Sequence, residues 1–166
     1  MEDLILLEKD LLQYLGYDTS KFLRKRYSDA AKEYNVKELE HEHEEQMYEN
    51  DKDGTPTFFL TDFPEYTSPF WNMKRSDAEH AKKVDVILSG QETIGSAERE
   101  TDKDIMLKRF ETITEGGYKK KLIDLFGEER TMAEMKEYFD FDFFERSGGG
   151  IGMTRLIRSM KKEGLL

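Results

Sequence analysis

Val84-Asp85-Val86-Ile87-Leu88-Ser89-Gly90-Gln91-Glu92-Thr93-Ile94-Gly95-Ser96 reads as two strands joined by a two-residue turn. Val84, Val86 and Leu88 alternate with Asp85 and Ile87, the period of a strand with two unlike faces. Ser89-Gly90 is the turn signal, and Gln91 to Gly95 is the returning strand. Strands joined this tightly are antiparallel. With the turn centred between Ser89 and Gly90, Leu88 faces Gln91, Ile87 faces Glu92, and Asp85 faces Ile94. Asp85 and Glu92 then share a face as diagonal neighbours, about 7–8 Å apart. A divalent cation, or two cations carried by a polyphosphate, fits between them. Magnesium is commonly held by one or two carboxylates plus substrate phosphates. The plainer reading leaves both carboxylates pointing at solvent beside Ile87 and Ile94.

Helical and strand patterns surround the hairpin. Leu4, Leu7, Leu11, Leu12 and Leu15 recur at helical spacing, with Gly16 as the stop. Ser28 is placed to cap a short helix over Asp29-Ala30-Ala31. Lys37 to Asn50 is a charged helical run, and Asp51 to Pro56 a loop. Thr57 to Thr61 is a buried-type strand ending toward Pro64. Thr101 and Asp102 can start a helix with the stripe Met106, Phe110 and Ile113, which Gly116-Gly117 would end. Tyr118 to Phe126 and Met132 to Phe139 are two more short helices. Strands interleaved with helices predict an α+β domain on a mostly antiparallel sheet.

The last quarter carries Ser147-Gly148-Gly149-Gly150-Ile151-Gly152-Met153-Thr154-Arg155. A glycine-rich strand here runs into a helix with an arginine in its first turn. Glycines let a ligand approach the backbone, a helix N-terminus offers unpaired N–H groups, and Arg155 adds a planar cationic fork. Close packing against a neighbouring strand explains the glycines equally well. Arg99 could grip a carboxylate or amide. Strict alternation from Glu92 puts it on the opposite face, so a bulge near Gly95-Ser96 is needed to bring it round.

With 166 residues the chain suggests one domain. Its net charge of −10 argues against a broad basic face for nucleic acid. It holds no cysteine, which excludes disulfides, thiolate zinc sites and cysteine nucleophiles, and makes a cytoplasmic setting the expectation. The run Leu4 to Leu7 is too short to span a bilayer, and Glu2 and Asp3 stand where a secretory signal would be basic. His41-Glu42-His43 with Glu44 and Glu45 resembles a metal cluster, but residues two apart do not share a helix face, and the run reads as a solvated charged helix. Lys119-Lys120-Lys121 and Lys161-Lys162 read as solvated faces, and Tyr138 to Phe144 as core aromatics with outward carboxylates.

Together these segments resemble the class II aminoacyl-tRNA synthetases, in the subgroup charging asparagine, aspartate and lysine, the asparaginyl enzyme most of all. Phe59-Leu60-Thr61-Asp62-Phe63-Pro64 followed by Ser68-Pro69-Phe70-Trp71-Asn72-Met73 looks like that family's strand and loop beside the amino-acid pocket. Asp85, Glu92 and Arg99 match its Asp…Gly-x-Glu…Gly-Ser-x-x-Arg pattern, which includes Ser96, and 148–158 matches its third class motif. The resemblance implies a partial class II synthetase-type antiparallel sheet flanked by helices. Asp85 and Glu92 would hold magnesium (Mg2+) and ATP. Gly150, Gly152 and Arg155 would contact ATP, with Arg155 and Glu92 serving catalysis. Ser96 and Arg99 would bind asparagine or aspartate. The implied reaction is attack of the amino-acid carboxylate on the α-phosphate of ATP, with tRNA as a possible acceptor.

The departures carry their own expectations. The family's first and second motifs and its anticodon-binding barrel are not found in residues 1–166. The chain is therefore read as the C-terminal part of the catalytic domain, expected to self-associate or to take a partner supplying the rest. Thr154 stands where the family has glutamate, as in asparagine synthetase A, a tRNA-independent relative on the same fold. An aspartate–ammonia ligase of that kind, or a non-catalytic synthetase-related binding protein, are the alternatives.

Overall fold

The hairpin forms with one residue more than strict alternation allows, and that residue sets the geometry of the molecule. The computed structural model describes residues 1–51 and 57–166. Its helices and strands run in chain order as α1 (Glu2–Tyr14), β1 (Leu23–Arg26), α2 (Tyr27–Glu33), α3 (His41–Asp51), β2 (Thr57–Pro64), β3 (His80–Leu88), β4 (Gln91–Glu98), α4 (Lys103–Thr112), α5 (Gly117–Phe126), α6 (Glu128–Phe139), β5 (Ser147–Ile151) and α7 (Met153–Lys162). The loop expected before β2 lies, from residue 52 onward, outside the described residues. No helix among the described residues is long and apolar enough to cross a membrane.

The five strands form one sheet in the order β1-β2-β3-β4-β5. β1 and β2 are parallel, and the other three pairs are antiparallel. Ser89 and Gly90 both take positive φ, +49° and +87°, as the turn of a right-twisted two-residue hairpin requires. Leu88 pairs with Gln91 and Ile87 with Glu92, as expected. Beyond them Val86 pairs with Ile94 and Asp85 with Gly95. Thr93 is thus the extra residue of a bulge, and it corrects the expected pairing of Asp85 with Ile94. A bulge reverses the parity of everything beyond it. Ile94 moves to the face opposite Asp85, and Arg99 comes round to the face of Asp85 and Glu92.

Each face of the sheet meets a different layer. Phe59, Val84, Val86, Leu88 and Ile94 pack with Leu4, Leu12 and Leu156, so α1 and α7 cover one face. Phe58, Leu60, Phe63 and Ile87 pack with Tyr27, Ala30, Ala31 and Met47, so α2 and α3 cover part of the other. A third cluster joins Trp71 to Met106 and Phe110, with Tyr118, Tyr138, Phe139 and Phe143 against it. This cluster fixes the segment between β2 and β3 onto α4–α6.

Several local expectations shift for physical reasons. Ser28 falls inside α2, whose N-cap is Arg26, so no side chain caps that end. Asp102 does cap α4, accepting from the Ile105 N–H at 3.0 Å. Gly117 opens α5 rather than ending α4, because a kinked turn over Ile113–Gly116 intervenes. Phe141 and Phe144 of the aromatic run are exposed, while Tyr138, Phe139 and Phe143 are packed. β1 has no counterpart among the expected strands. Its Leu-Arg-Lys-Arg sequence lacks the apolar alternation that marks one, and its register comes from β2 alone.

Candidate functional site

Asp85 and Glu92 converge over a floor of bare backbone. Gly95 pairs with Asp85 across one ladder and with Gly150 across the next. Directly paired residues share a face, so the two glycines lie side by side on the carboxylate face. A Cβ on Gly95 would stand 2.9 Å from Glu92 Oε1 and 3.4 Å from Asp85 Oδ1. A Cβ on Gly150 would meet nothing within 4 Å. One glycine is required by the carboxylates, and the other leaves open space.

Asp85 is buried, with 6% of its surface exposed. Lys83 Nζ donates to its Oδ2 at 2.5 Å. Its Oδ1 is buried with no hydrogen-bond partner. Burial pushes the Asp85 carboxyl up to about 7. Lys83 opposes that rise, and the nearby charges of Glu92 and Glu44 add to it. The two carboxylates line a cavity of about 440 Å³, walled by Tyr27, Phe63 and the segment Thr67 to Phe70. The segment matched by sequence to the family's amino-acid pocket therefore does flank this site.

Arg155 is the third residue of α7 and reaches back across the sheet. Its Nη1 donates to the Glu92 carbonyl at 2.8 Å and stands 3.9 Å from Glu92 Oε2. The side chain stays half exposed. Gly152 N–H donates to the Thr93 carbonyl at 2.8 Å, which ties the start of α7 to the bulge. A Cβ on Gly152 would lie 3.3 Å from Arg155 Cδ. The bulge thus aligns Arg155, Gly150 and Glu92.

Arg99 sits at the far end of β4. Its Nη1 donates to Asn72 Oδ1 at 3.1 Å, and its Nη2 to the Gly148 carbonyl at 2.9 Å. Burial lowers its pKa, and the Arg146 charge adds to that. It lines a neighbouring cavity with Asn72, Tyr138, Phe143 and Arg146 rather than the Asp85–Glu92 cavity. Ser96 is not brought to the site. It is buried on the opposite face, where its Oγ donates to the Val84 carbonyl at 3.5 Å beside Glu8 of α1.

Of two further contributors, Glu44 reads from the sequence as part of a solvated charged helix, and Lys83 is not singled out. Glu44 of α3 accepts the Glu92 N–H at 2.9 Å with Oε2. Burial raises its pKa, the Glu92 N–H opposes that, and the Glu92 charge adds to it. The signal was available, because Glu44 lies three residues before the buried Met47 and so shares its helix face. Lys83 could be found from its place two residues before Asp85 on the same strand face. His41 and Glu45 remain exposed, as a solvated helix face should.

The residues present fit a magnesium ion. Among the described residues no group of three or more ligating side chains is arranged to hold a metal. Magnesium needs only one or two carboxylates when phosphates complete its shell. Asp85 supplies a buried oxygen without a partner, and Glu92 supplies another beside it.

Comparison with known proteins places this architecture among the class II tRNA synthetases. The family model described as tRNA synthetases class II (D, K and N) matches residues 5–164, and the chain belongs to that family. The aspartyl-tRNA synthetase of Entamoeba histolytica is similar at 25% identity and a TM-score of 0.61, over 84% of this chain and 28% of its own. The asparaginyl-tRNA synthetase of Pyrococcus horikoshii, complexed with asparaginyl-adenylate, is similar at 21% identity and a TM-score of 0.62, over 85% and 32%. That of E. histolytica, also with asparaginyl-adenylate, gives 18% and 0.67, over 98% and 38%. The chain thus spans about a third of the length of these structures. No curated protein sequence matches it.

Proposed function

We propose that this chain is the C-terminal part of an amino-acid-activating catalytic domain of the asparaginyl- or aspartyl-tRNA synthetase type. ATP is the co-substrate, magnesium the cofactor, tRNA the acceptor and the cytoplasm the setting. The observation that carries the reading is the meeting of Asp85 Oδ1, buried and unpartnered, with Glu92 Oε1 above Gly95 and the open Gly150. In the reaction an oxygen of the amino-acid carboxylate bonds to the α-phosphorus of ATP. The bond from that phosphorus to its bridging oxygen breaks, and pyrophosphate leaves with the electron pair. The attacking carboxylate is already ionised, so no general base is needed.

Each residue has a role in that step. Asp85 and Glu92 would hold magnesium, which when bound neutralises charge building on the phosphates. The open Gly150 would let the phosphates come close to the backbone, while Gly95 makes room for the two carboxylates. Arg155 is held by the Glu92 carbonyl, lines an adjoining recess with Ser89 and Arg158, and would turn its free donors to the nucleotide. Arg99 is braced by Asn72 and Gly148, and would face the side chain of the amino acid.

Thr154 favours a second reading, synthesis of asparagine from aspartate and ammonia, because a hydroxyl stands beside Arg155. Calorimetry with magnesium and ATP tests what the two share. We expect binding that is lost in Asp85→Asn, and no binding by the folded chain sinks both. Asparagine-dependent exchange of pyrophosphate into ATP supports the first reading. Ammonia-dependent formation of asparagine supports the second.

A further inference from the structure

Lys83 is the single cation among the described residues lining the Asp85–Glu92 cavity, where Glu38, Glu40, Glu44, Asp85 and Glu92 also stand. Its Nζ is 2.5 Å from Asp85 Oδ2 and 3.9 Å from the centre of the Phe63 ring. Carboxylates and aromatic faces both attract an ammonium. About three quarters of the lysine side chain is buried. This is a fixed charge, unlike the loose ion pairs of an exposed surface.

The lysine makes the two oxygens of Asp85 unequal. Oδ2 is occupied by the ammonium, while Oδ1 has no partner and turns toward Gly95 and Glu92 Oε1. An ion that took Oδ2 would have to displace the ammonium. An ion at Oδ1 feels the ammonium's repulsion a few ångströms away, in a site where water screens little. Bound polyphosphate would offset that repulsion, so the ion is held best together with the nucleotide.

We propose that Lys83 is a built-in cation standing in for a second divalent ion, so that Asp85 and Glu92 hold one magnesium, through Oδ1 and Oε1. The proposal rests on the reading above of those carboxylates as magnesium ligands. It decides between the one-ion and two-ion occupancies that the hairpin spacing alone allows. It also makes Lys83 the reason that the bare ion binds weakly.

Manganese, followed through the electron paramagnetic resonance of the free ion, tests this on the 166-residue chain without nucleotide. Wild type should bind one ion weakly. Lys83→Met should tighten binding by about tenfold or more, the scale on which a neighbouring charge moves a carboxylate's proton affinity. Lys83→Arg, which keeps the charge, should behave as wild type. Asp85→Asn should abolish binding in either background. If Asp85→Asn abolishes binding but Lys83→Met leaves it unchanged or weaker, the lysine proposal falls while the carboxylates stand as ligands. If Asp85→Asn changes nothing, the ligand reading falls with it. Lys83→Met leaves a buried carboxylate without its partner and can unfold the chain. Manganese should then restore the fold, seen by circular dichroism, and a chain that stays unfolded in manganese overturns the proposal.

Discussion

Two side chains show how position decides what a charge does. Arg155 is half exposed and is held by one carbonyl bond and a 3.9 Å ion pair. Such a group adds under about 1 kcal/mol to the fold. Arg155→Ala should therefore melt close to wild type, yet bind ATP about ten- to a hundredfold more weakly, the loss of charge-assisted hydrogen bonds. Unchanged affinity by calorimetry, in a variant of wild-type stability, would remove Arg155 from the site. Glu8 is the reverse case. It is 5% exposed on α1, and its Oε2 is buried with no partner. Burial raises its pKa above the ordinary carboxylate value. At low pH it is protonated in the folded and unfolded chain alike, and the neutral acid is well tolerated. As pH rises past the ordinary range, the unfolded chain gives up the proton while the folded chain keeps it. Stability therefore falls until pH passes the raised folded value. Glu8→Gln should cancel that fall, matching wild type near pH 4 and exceeding it by about 1 kcal/mol at pH 8. Denaturant melts across pH would show this, and parallel curves for the two proteins would refute it.

At the scale of elements, the β4–β5 ladder separates glycines that pack from glycines that leave room. A Cβ on Gly149 would stand 2.6 Å from the Gly95 carbonyl oxygen and from Ser96 Cβ. Neither neighbour can move without breaking the ladder, so Gly149→Ala should cost about 2–3 kcal/mol. Gly150→Ala meets nothing within 4 Å and should stay within about 0.5 kcal/mol of wild type while weakening ATP. Thermal melts and calorimetry on the pair check both statements, and equal stability losses would mean that Gly150 packs as well. Periodicity made the hairpin and α1 legible, because each has an apolar period and a turn or stop residue to bound it, and the run of glycines marked β5. The bulge expected near Gly95-Ser96 falls instead at Thr93. A need for one was visible in Arg99, which strict alternation put on the wrong face, but nothing in Gln91-Glu92-Thr93-Ile94 marks which residue is extra. β1 was invisible because its pairing with β2, and no pattern of its own, makes it a strand. Helix spacing puts Glu44 on the face of Met47, but its meeting with the Glu92 N–H, like that of Asn72 with Arg99, comes from tertiary packing.

For the whole molecule, the covering of the sheet is uneven. β5 is an edge strand, and beside it runs a groove of about 500 Å³ lined by Leu4, Leu7, Leu11, Ile94 and Ile151. Leu7 is 66% exposed and Ile151 40% exposed. An open edge next to an apolar groove invites another chain. The net charge of −10 opposes that by repelling a second copy. Salt decides between the two effects. Added salt screens the repulsion, with a Debye length of about 10 Å at 0.1 M and about 3 Å at 1 M, and leaves apolar burial in place. The 166-residue chain should therefore be mostly monomeric at low salt and increasingly dimeric as salt rises, at fixed protein concentration. Leu7→Glu with Ile151→Lys should keep it monomeric throughout, since both substitutions put charge into the groove. Light scattering over a salt series makes the measurement. A wild-type chain that stays monomeric in 1 M salt would show that this edge and groove are not adhesive. Association that weakens with salt would instead assign the contact to charge, away from β5.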